Sequence, residues 1–165
     1  TLIYTGTSTL DTKIMQYDYG EDFFEIAKTI DFSNEYNNWI SVEGFHNQEE
    51  IIKLAEKVNV STFFVEDIFN VSQRNKYEIG EGILFVVLKY PNMEKDQLSF
   101  RYLSIVVKDS LIMTFSDHRD VYSENLLSRV KLNKAVFVNK EVSYLLYAIY
   151  DMIIDDQLEI VKELN

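Results

Sequence analysis

Two clusters of carboxylates, far apart in the chain, are the residues whose types and spacing suit chemistry. Glu66 and Asp67 stand in the run Val65 to Lys76, and Asp151 and Asp155 follow Tyr144-Leu145-Leu146-Tyr147, with Asp156 directly after. Carboxylate oxygens are what hard divalent cations bind, and magnesium usually keeps several of its waters. Side chains four residues apart share one helix face, so Asp151 and Asp155 can converge on one ion. Glu66 and Asp67 are sequence neighbours, which on a helix face apart, so they address different sites or partners. The pattern predicts a loose, partly water-mediated cation site. A plain solvated helix face is the alternative for each pair.

No other chemistry has comparable residues. His46 and His118 are isolated and belong to no metal-spacing motif, so they suit surface or capping roles. Gly80-Glu81-Gly82 lacks the rest of a phosphate-loop pattern and reads as a turn between strands. No Walker motif, Gly-x-Ser-x-Gly or His-Glu-x-x-His occurs. The chain is not expected to be an enzyme.

The elements that would position the acids follow from periodicity. Asn47 can cap a helix, with Glu50 completing a capping box and Ile51, Leu54, Ala55 and Val58 forming its apolar stripe. Ser61 can cap a shorter helix that buries Phe64, Val65 and Ile68 and carries Glu66 and Asp67. Strands are expected at Leu2-Ile3-Tyr4, at Lys13 to Tyr17 and at Trp39 to Val42, the last closed by Gly44; Glu21 to Ile30 is ambiguous. From Lys76 to Ser116 the period is two. Ile83 to Tyr90 suits a strand buried on both faces, Pro91-Asn92 a turn, and Ser99 to Lys108 with Leu111 to Phe115 a hairpin across Asp109-Ser110. Asp120 opens a helix through Val130, and a basic loop follows from Lys131 to Lys140. Arg129, Lys131, Lys134 and Lys140 there suit either a solvated surface or docking of an acidic segment.

The last helix spans Val142 to Leu164. Its apolar stripe is Val142, Leu145, Leu146, Ile149, Ile153, Ile160 and Leu164, and Asp151, Asp155, Glu159 and Glu163 line the opposite side. Like charges four apart destabilise a helix by a few tenths of a kcal/mol per pair. A bound cation, a basic neighbour or continuation past Asn165 would relieve that row.

The 165 residues predict about one domain, and 47% apolar and 14% aromatic content supplies a core. A net charge of −11 repels phosphate backbones, so nucleic acid is not expected as a partner. The absence of cysteine excludes disulfides and thiolate metal sites. No apolar run reaches the roughly 18 residues that span a bilayer. A start at Thr1 and an end inside a helical pattern, where Asn165 could cap, suggest a fragment. Asn59-Val60-Ser61 and Asn70-Val71-Ser72 match glycosylation sequons by chance.

Several segments, in order, resemble the CorA family of magnesium and cobalt channels. Trp39-Ile40-Ser41-Val42-Glu43-Gly44-Phe45-His46 is similar to its Trp-Ile-x-Val-x-Gly-x-His stretch, and Glu66 to Lys76 to its Glu-Asp-Ile-x-Asn-x-x-Gln-Arg-Pro-Lys run. Tyr144 to Asp156 is similar to its Tyr-Leu-Leu-Tyr-x-x-x-Asp-x-x-x-Asp-Asp segment. Ser72 stands where many relatives have His, and Asn75 where they have Pro.

The resemblance implies a fold, a three-layer α/β/α sandwich with a mixed central sheet, followed by the start of long stalk helices. It divides the chain into a cytoplasmic α/β domain over 1–140 and a helix over 141–165 leading toward the stalk. It implies a cytoplasmic regulatory domain of a magnesium and cobalt transporter in the cell membrane, working as a homopentamer. Magnesium, or cobalt, bound between subunits would hold the pore closed. By position, Asp67 would contact an ion shared with a neighbouring stalk, and Glu66, Asp151 and Asp155 would support a second ion. The acids would then be one lip of an interface. The membrane part and the Gly-Met-Asn pore signature lie outside this sequence. The competing readings are a domain of the family's zinc branch, a free-standing metal-dependent hydrolase, and an acidic scaffold without a metal.

Overall fold

In the apolar run at residues 83–90, Val86, Leu88 and Tyr90 are buried on one side of a strand and Phe85 and Val87 on the other. Alternation of this kind requires a layer of structure on each face. The computed structural model supplies both. It describes residues 3–20, 23–31, 35–132 and 141–164. In order the elements are β1 (Lys13–Gly20), β2 (Phe23–Ile26), β3 (Asn37–Glu43), α1 (Gln48–Lys57), α2 (Thr62–Phe69), β4 (Lys76–Gly80), β5 (Ile83–Glu94), β6 (Gln97–Lys108), β7 (Leu111–Ser116), α3 (Val121–Leu132) and α4 (Ser143–Leu164). The strands form one sheet in the order β2-β1-β3-β7-β6-β5-β4. All neighbours are antiparallel except β3 and β7, which are parallel.

Two cores sit on the two faces. Ile51, Leu54 and Ala55 of α1 and Phe64, Val65, Ile68 and Phe69 of α2 meet Val42, Phe85, Val106 and Phe115. Tyr122, Leu126 and Val130 of α3 and Leu145, Leu146, Ile149 and Met152 of α4 meet Trp39, Leu88, Leu103 and Ile112 on the other. This is the expected α/β/α sandwich with a mixed sheet, and α4 is the start of the expected long helix.

Local chemistry explains the boundaries. The Asn47 side chain accepts the Glu50 backbone N–H at 3.2 Å and caps α1, but the box is only half formed: the Asn47 backbone N–H donates to Thr12 Oγ1 at 2.9 Å, and Glu50 Oε2 accepts the Asn47 side-chain amide at 3.3 Å. Ser61 Oγ accepts the Phe63 N–H at 3.1 Å and starts α2. Gly44, with φ +83, closes β3, where a Cβ would lie 2.3 Å from the Asp11 carbonyl oxygen. The turn Glu81-Gly82 has positive φ at both residues, as a two-residue hairpin needs.

Three further expectations change, and one ambiguity resolves. Ile3 and Tyr4 form no strand; a Thr5 N–H to Phe69 carbonyl bond and the Tyr4 hydroxyl on Asp117 tie that segment down instead. The ambiguous stretch after β1 contains β2, which pairs with β1 from Tyr17 to Gly20. Pro91-Asn92 is not a turn: β5 runs on to Glu94 and turns at Lys95-Asp96, both with positive φ. Proline is tolerated there because β4 reaches only to Val87, leaving Pro91 with a partner strand on one side. The apolar stripe of α4 stops being buried after Ile153; Ile160 is half-buried and Leu164 exposed. Leu2, Glu21, Lys134, Lys140 and Asn165 lie outside the described residues.

Candidate divalent-cation faces

Helix α2 ends beside the edge strand β4, and its carboxylates part as their adjacency predicts. Glu66 is exposed, and among the described residues no ion pair engages it. Asp67 is half-buried and meets Lys76 at the start of β4, with Lys76 Nζ 2.8 Å from Asp67 Oδ2 and 3.5 Å from Glu78 Oε1. Oδ2 has almost no solvent exposure, and the Lys76 ammonium at 2.8 Å is the cation that compensates it among the described residues. Burial lowers the Lys76 pKa, but the Asp67 and Glu78 carboxylates outweigh it and raise it overall.

The loop after α2 explains the two departures from the family run. Ser72 Oγ donates to Asn70 Oδ1 at 2.8 Å, and the Ser72 N–H donates to the same oxygen at 3.2 Å, closing a side-chain turn. Asn75 Oδ1 accepts the Lys89 N–H and ties the entry of β4 to β5. Gln73 Nε2 donates to the Asp67 carbonyl, so the loop folds back over α2.

On α4, Asp151 and Asp155 are exposed on one side of the helix, and neither has an ion-pair partner among the described residues. Glu159 pairs with Lys162 at 3.3 Å. Beside the acids runs an exposed apolar row, Tyr147, Ile154, Leu158 and Val161, whose spacings of seven, four and three keep it on one side of the helix. Asp156 is not part of the acidic row; the Tyr122 hydroxyl of α3 donates to it, and burial together with that carboxylate raises the tyrosine pKa.

The α2 pair and the α4 pair are not brought together. Their helices pack on opposite faces of the sheet. No group of three or more His, Asp or Glu converges among the described residues. The donors nevertheless suit a hard cation. Asp67 offers a buried oxygen beside the Lys76 ammonium, and Asp151 and Asp155 offer carboxylates one turn apart that have no ion pair among the described residues. One copy of the chain therefore carries candidate cation donors on each of two faces.

A second acidic cluster went unrecognised in the sequence because Tyr4 and Glu43, which join Asp117 and Asp120 there, lie far away in the chain. Asp117 and Asp120 follow β7 and are buried. Asp117 accepts the Tyr4 hydroxyl at 2.5 Å and faces His118 Nδ1 at 2.9 Å. Burial raises its carboxyl, but these bonds more than offset that and leave it below the usual range. Asp120 caps α3, accepting the Tyr122 N–H at 3.0 Å and the Ser123 hydroxyl. Burial pushes its carboxyl up to about 6, against those hydrogen bonds and with repulsion from Glu43 adding to the rise. The Asp120 N–H donates to Glu43 Oε2. Each of these groups has a partner within the fold. His46 is exposed, as expected for a surface residue.

A family model described as "CorA-like Mg2+ transporter protein" matches residues 34–165. The cobalt/magnesium transport protein CorA of Thermotoga maritima is 26% identical over 174 aligned residues, which take in all of this chain and 50% of that protein. The chain thus spans half the length of that relative. The soluble domain of CorA from Methanocaldococcus jannaschii shares the fold with a TM-score of 0.77 at 21% identity, covering 92% of this chain and 60% of that one. The ZntB cytoplasmic domain from Vibrio parahaemolyticus does so with a TM-score of 0.65 at 16% identity, covering 90% and 62%. No helix among the described residues is long and apolar enough to cross a membrane.

Proposed function

This chain belongs to the CorA family, and we propose that it is the ion-sensing cytoplasmic domain of a divalent-cation transporter of the cell membrane. Residues 1–140 are the sensing domain, and 141–165 lead into a stalk. The observation that carries the sensing role is the placement of the carboxylate pairs on opposite layers of one sandwich. In a ring of identical subunits each contact is head-to-tail, so one face of a subunit meets the opposite face of the next. Glu66 and Asp67 of one copy then face acids of its neighbour, and neither set is a complete site alone. We propose a pentamer for this ring, as the family resemblance implies.

A divalent ion between such faces offsets the repulsion of two acidic surfaces. Its loss lets the surfaces separate, a ligand-biased equilibrium of subunit packing. The exposed apolar row on α4 supports the same reading, since it gives a neighbouring helix a place to pack beside the acids. Asp67 is the residue proposed to touch the shared ion, with Glu66, Asp151 and Asp155 supporting a second, more hydrated one. Magnesium or cobalt is proposed as the ion, on the identity to the Thermotoga protein. The fold does not choose between these and zinc, because the ZntB domain has it too.

Isothermal titration of the purified chain with millimolar MgCl2 tests the ion site. The isolated chain binds weakly, and Asp67→Ala removes the saturable heat. Equal heats in that variant would show that the ion binds elsewhere. Competition with cobalt and zinc in the same cell ranks the ions.

A further inference from the structure

We infer that Lys76 is a built-in competitor for the divalent ion at Asp67, an intramolecular cation that sets the site's affinity and holds it when empty. The inference rests on the proposed placement of the ion. Asp67 Oδ2 is buried, and among the described residues the Lys76 ammonium at 2.8 Å is its compensation. A buried carboxylate left unpaired is costly, so some cation must stay beside it. Magnesium binding at that oxygen therefore requires the ammonium to leave.

The strand gives it somewhere to go. Lys76 and Glu78 stand two residues apart on β4, opposite Val87 and Phe85, which places both on the face toward α2. Glu78 Oε1 already lies 3.5 Å from the ammonium, and its side chain is more exposed than that of Asp67, 38% against 18%. The Phe85 ring centroid, 5.9 Å from Nζ, forms the floor along which the amine moves. Ion entry is then an exchange of one cation for another. Two consequences follow. Affinity stays low, as a sensor of an abundant ion needs, and ion loss leaves the end of α2 compensated.

Backbone amide shifts of residues 66–76 in the 165-residue chain, followed by NMR as MgCl2 is added, test this. In Lys76→Gln the magnesium midpoint falls at least threefold, while in Lys76→Arg, which keeps the charge, it stays within twofold of wild type. In chelator, Lys76→Gln has a lower thermal midpoint than wild type, and magnesium raises it by a larger increment. A midpoint that is unchanged or higher in Lys76→Gln, together with loss of the shifts in Asp67→Asn, overturns the competitor role and leaves the ion at Asp67. Shifts that persist in Asp67→Asn overturn the ion placement and the role of Lys76 together.

Discussion

Replacing Asp120 by Asn removes a buried charge without removing the helix cap, and the effect on stability depends on pH in a definite direction. The folded carboxyl titrates at about 6, whereas in an unfolded chain an aspartate titrates near 3.9. The folded state thus holds this proton more tightly. Its contribution to stability is fully present below about pH 4, declines as pH rises to about 6 and is constant above that. A difference of about 2 units at 1.36 kcal/mol each gives about 3 kcal/mol over the window. Asn keeps an oxygen for the Tyr122 N–H and ranks with Asp as a cap. Of this, about 2 kcal/mol falls between pH 4 and pH 6.5, so the difference in unfolding free energy, variant minus wild type, should rise by that amount across the window. At this chain length that is several °C in thermal midpoint. Asp117 titrates with the opposite sign, but it is present in both proteins and cancels in the difference. Urea denaturation followed through Trp39 is a suitable assay. It is the only tryptophan, 1% exposed, and its Nε1 donates to Thr114 Oγ1, which lies 3.5 Å from Ser123 Oγ beside Asp120. Parallel wild-type and variant curves from pH 4 to 7 would refute the argument.

Tyr4→Phe removes the hydroxyl that donates to Asp117. Because that carboxyl is held below its ordinary range, it stabilises the fold above its unfolded pKa, and the stabilisation is lost as pH falls. The variant should begin acid unfolding at a higher pH and lose about 1–3 kcal/mol at neutrality, measurable by circular dichroism across a pH series. Phe69→Ala empties a site where the ring is fully buried and 5.6 Å from Phe45. It should cost about 3–5 kcal/mol in urea denaturation and weaken the end of α2, so that magnesium shifts near Asp67 broaden or vanish with it.

Local rules found most of the elements. The Asn47 and Ser61 caps, the stripe Ile51, Leu54, Ala55 and Val58, the Glu81-Gly82 turn and the Asp109-Ser110 hairpin all depend on spacings of four residues or fewer. Pro91 misled because its tolerance depends on which strand lies next to β5, and that is a property of the sheet. The first ten residues misled for a related reason. An apolar Ile3-Tyr4 pair resembles a strand start, yet the partners of Tyr4 and Thr5 are Asp117 and Phe69, more than sixty residues away.

By itself the sequence determined the kind of protein. Its ordered motifs carried the family, its acidic balance argued against nucleic acid, and the adjacent Glu66-Asp67 together with Asp151 and Asp155 one helical turn apart stood out as candidate cation donors. How those acids relate depends on the packing of the helices against the sheet. Sheet alternation sent α2 to one face and α4 to the other, so the pairs look away from each other in a single copy. It also set Lys76 against Asp67, a pairing that depends on β4 running along the sheet edge beside the end of α2. Periodicity reports which residues share a face of one element. Which element that face meets is settled by strand order and packing, through contacts that lie far apart in the chain.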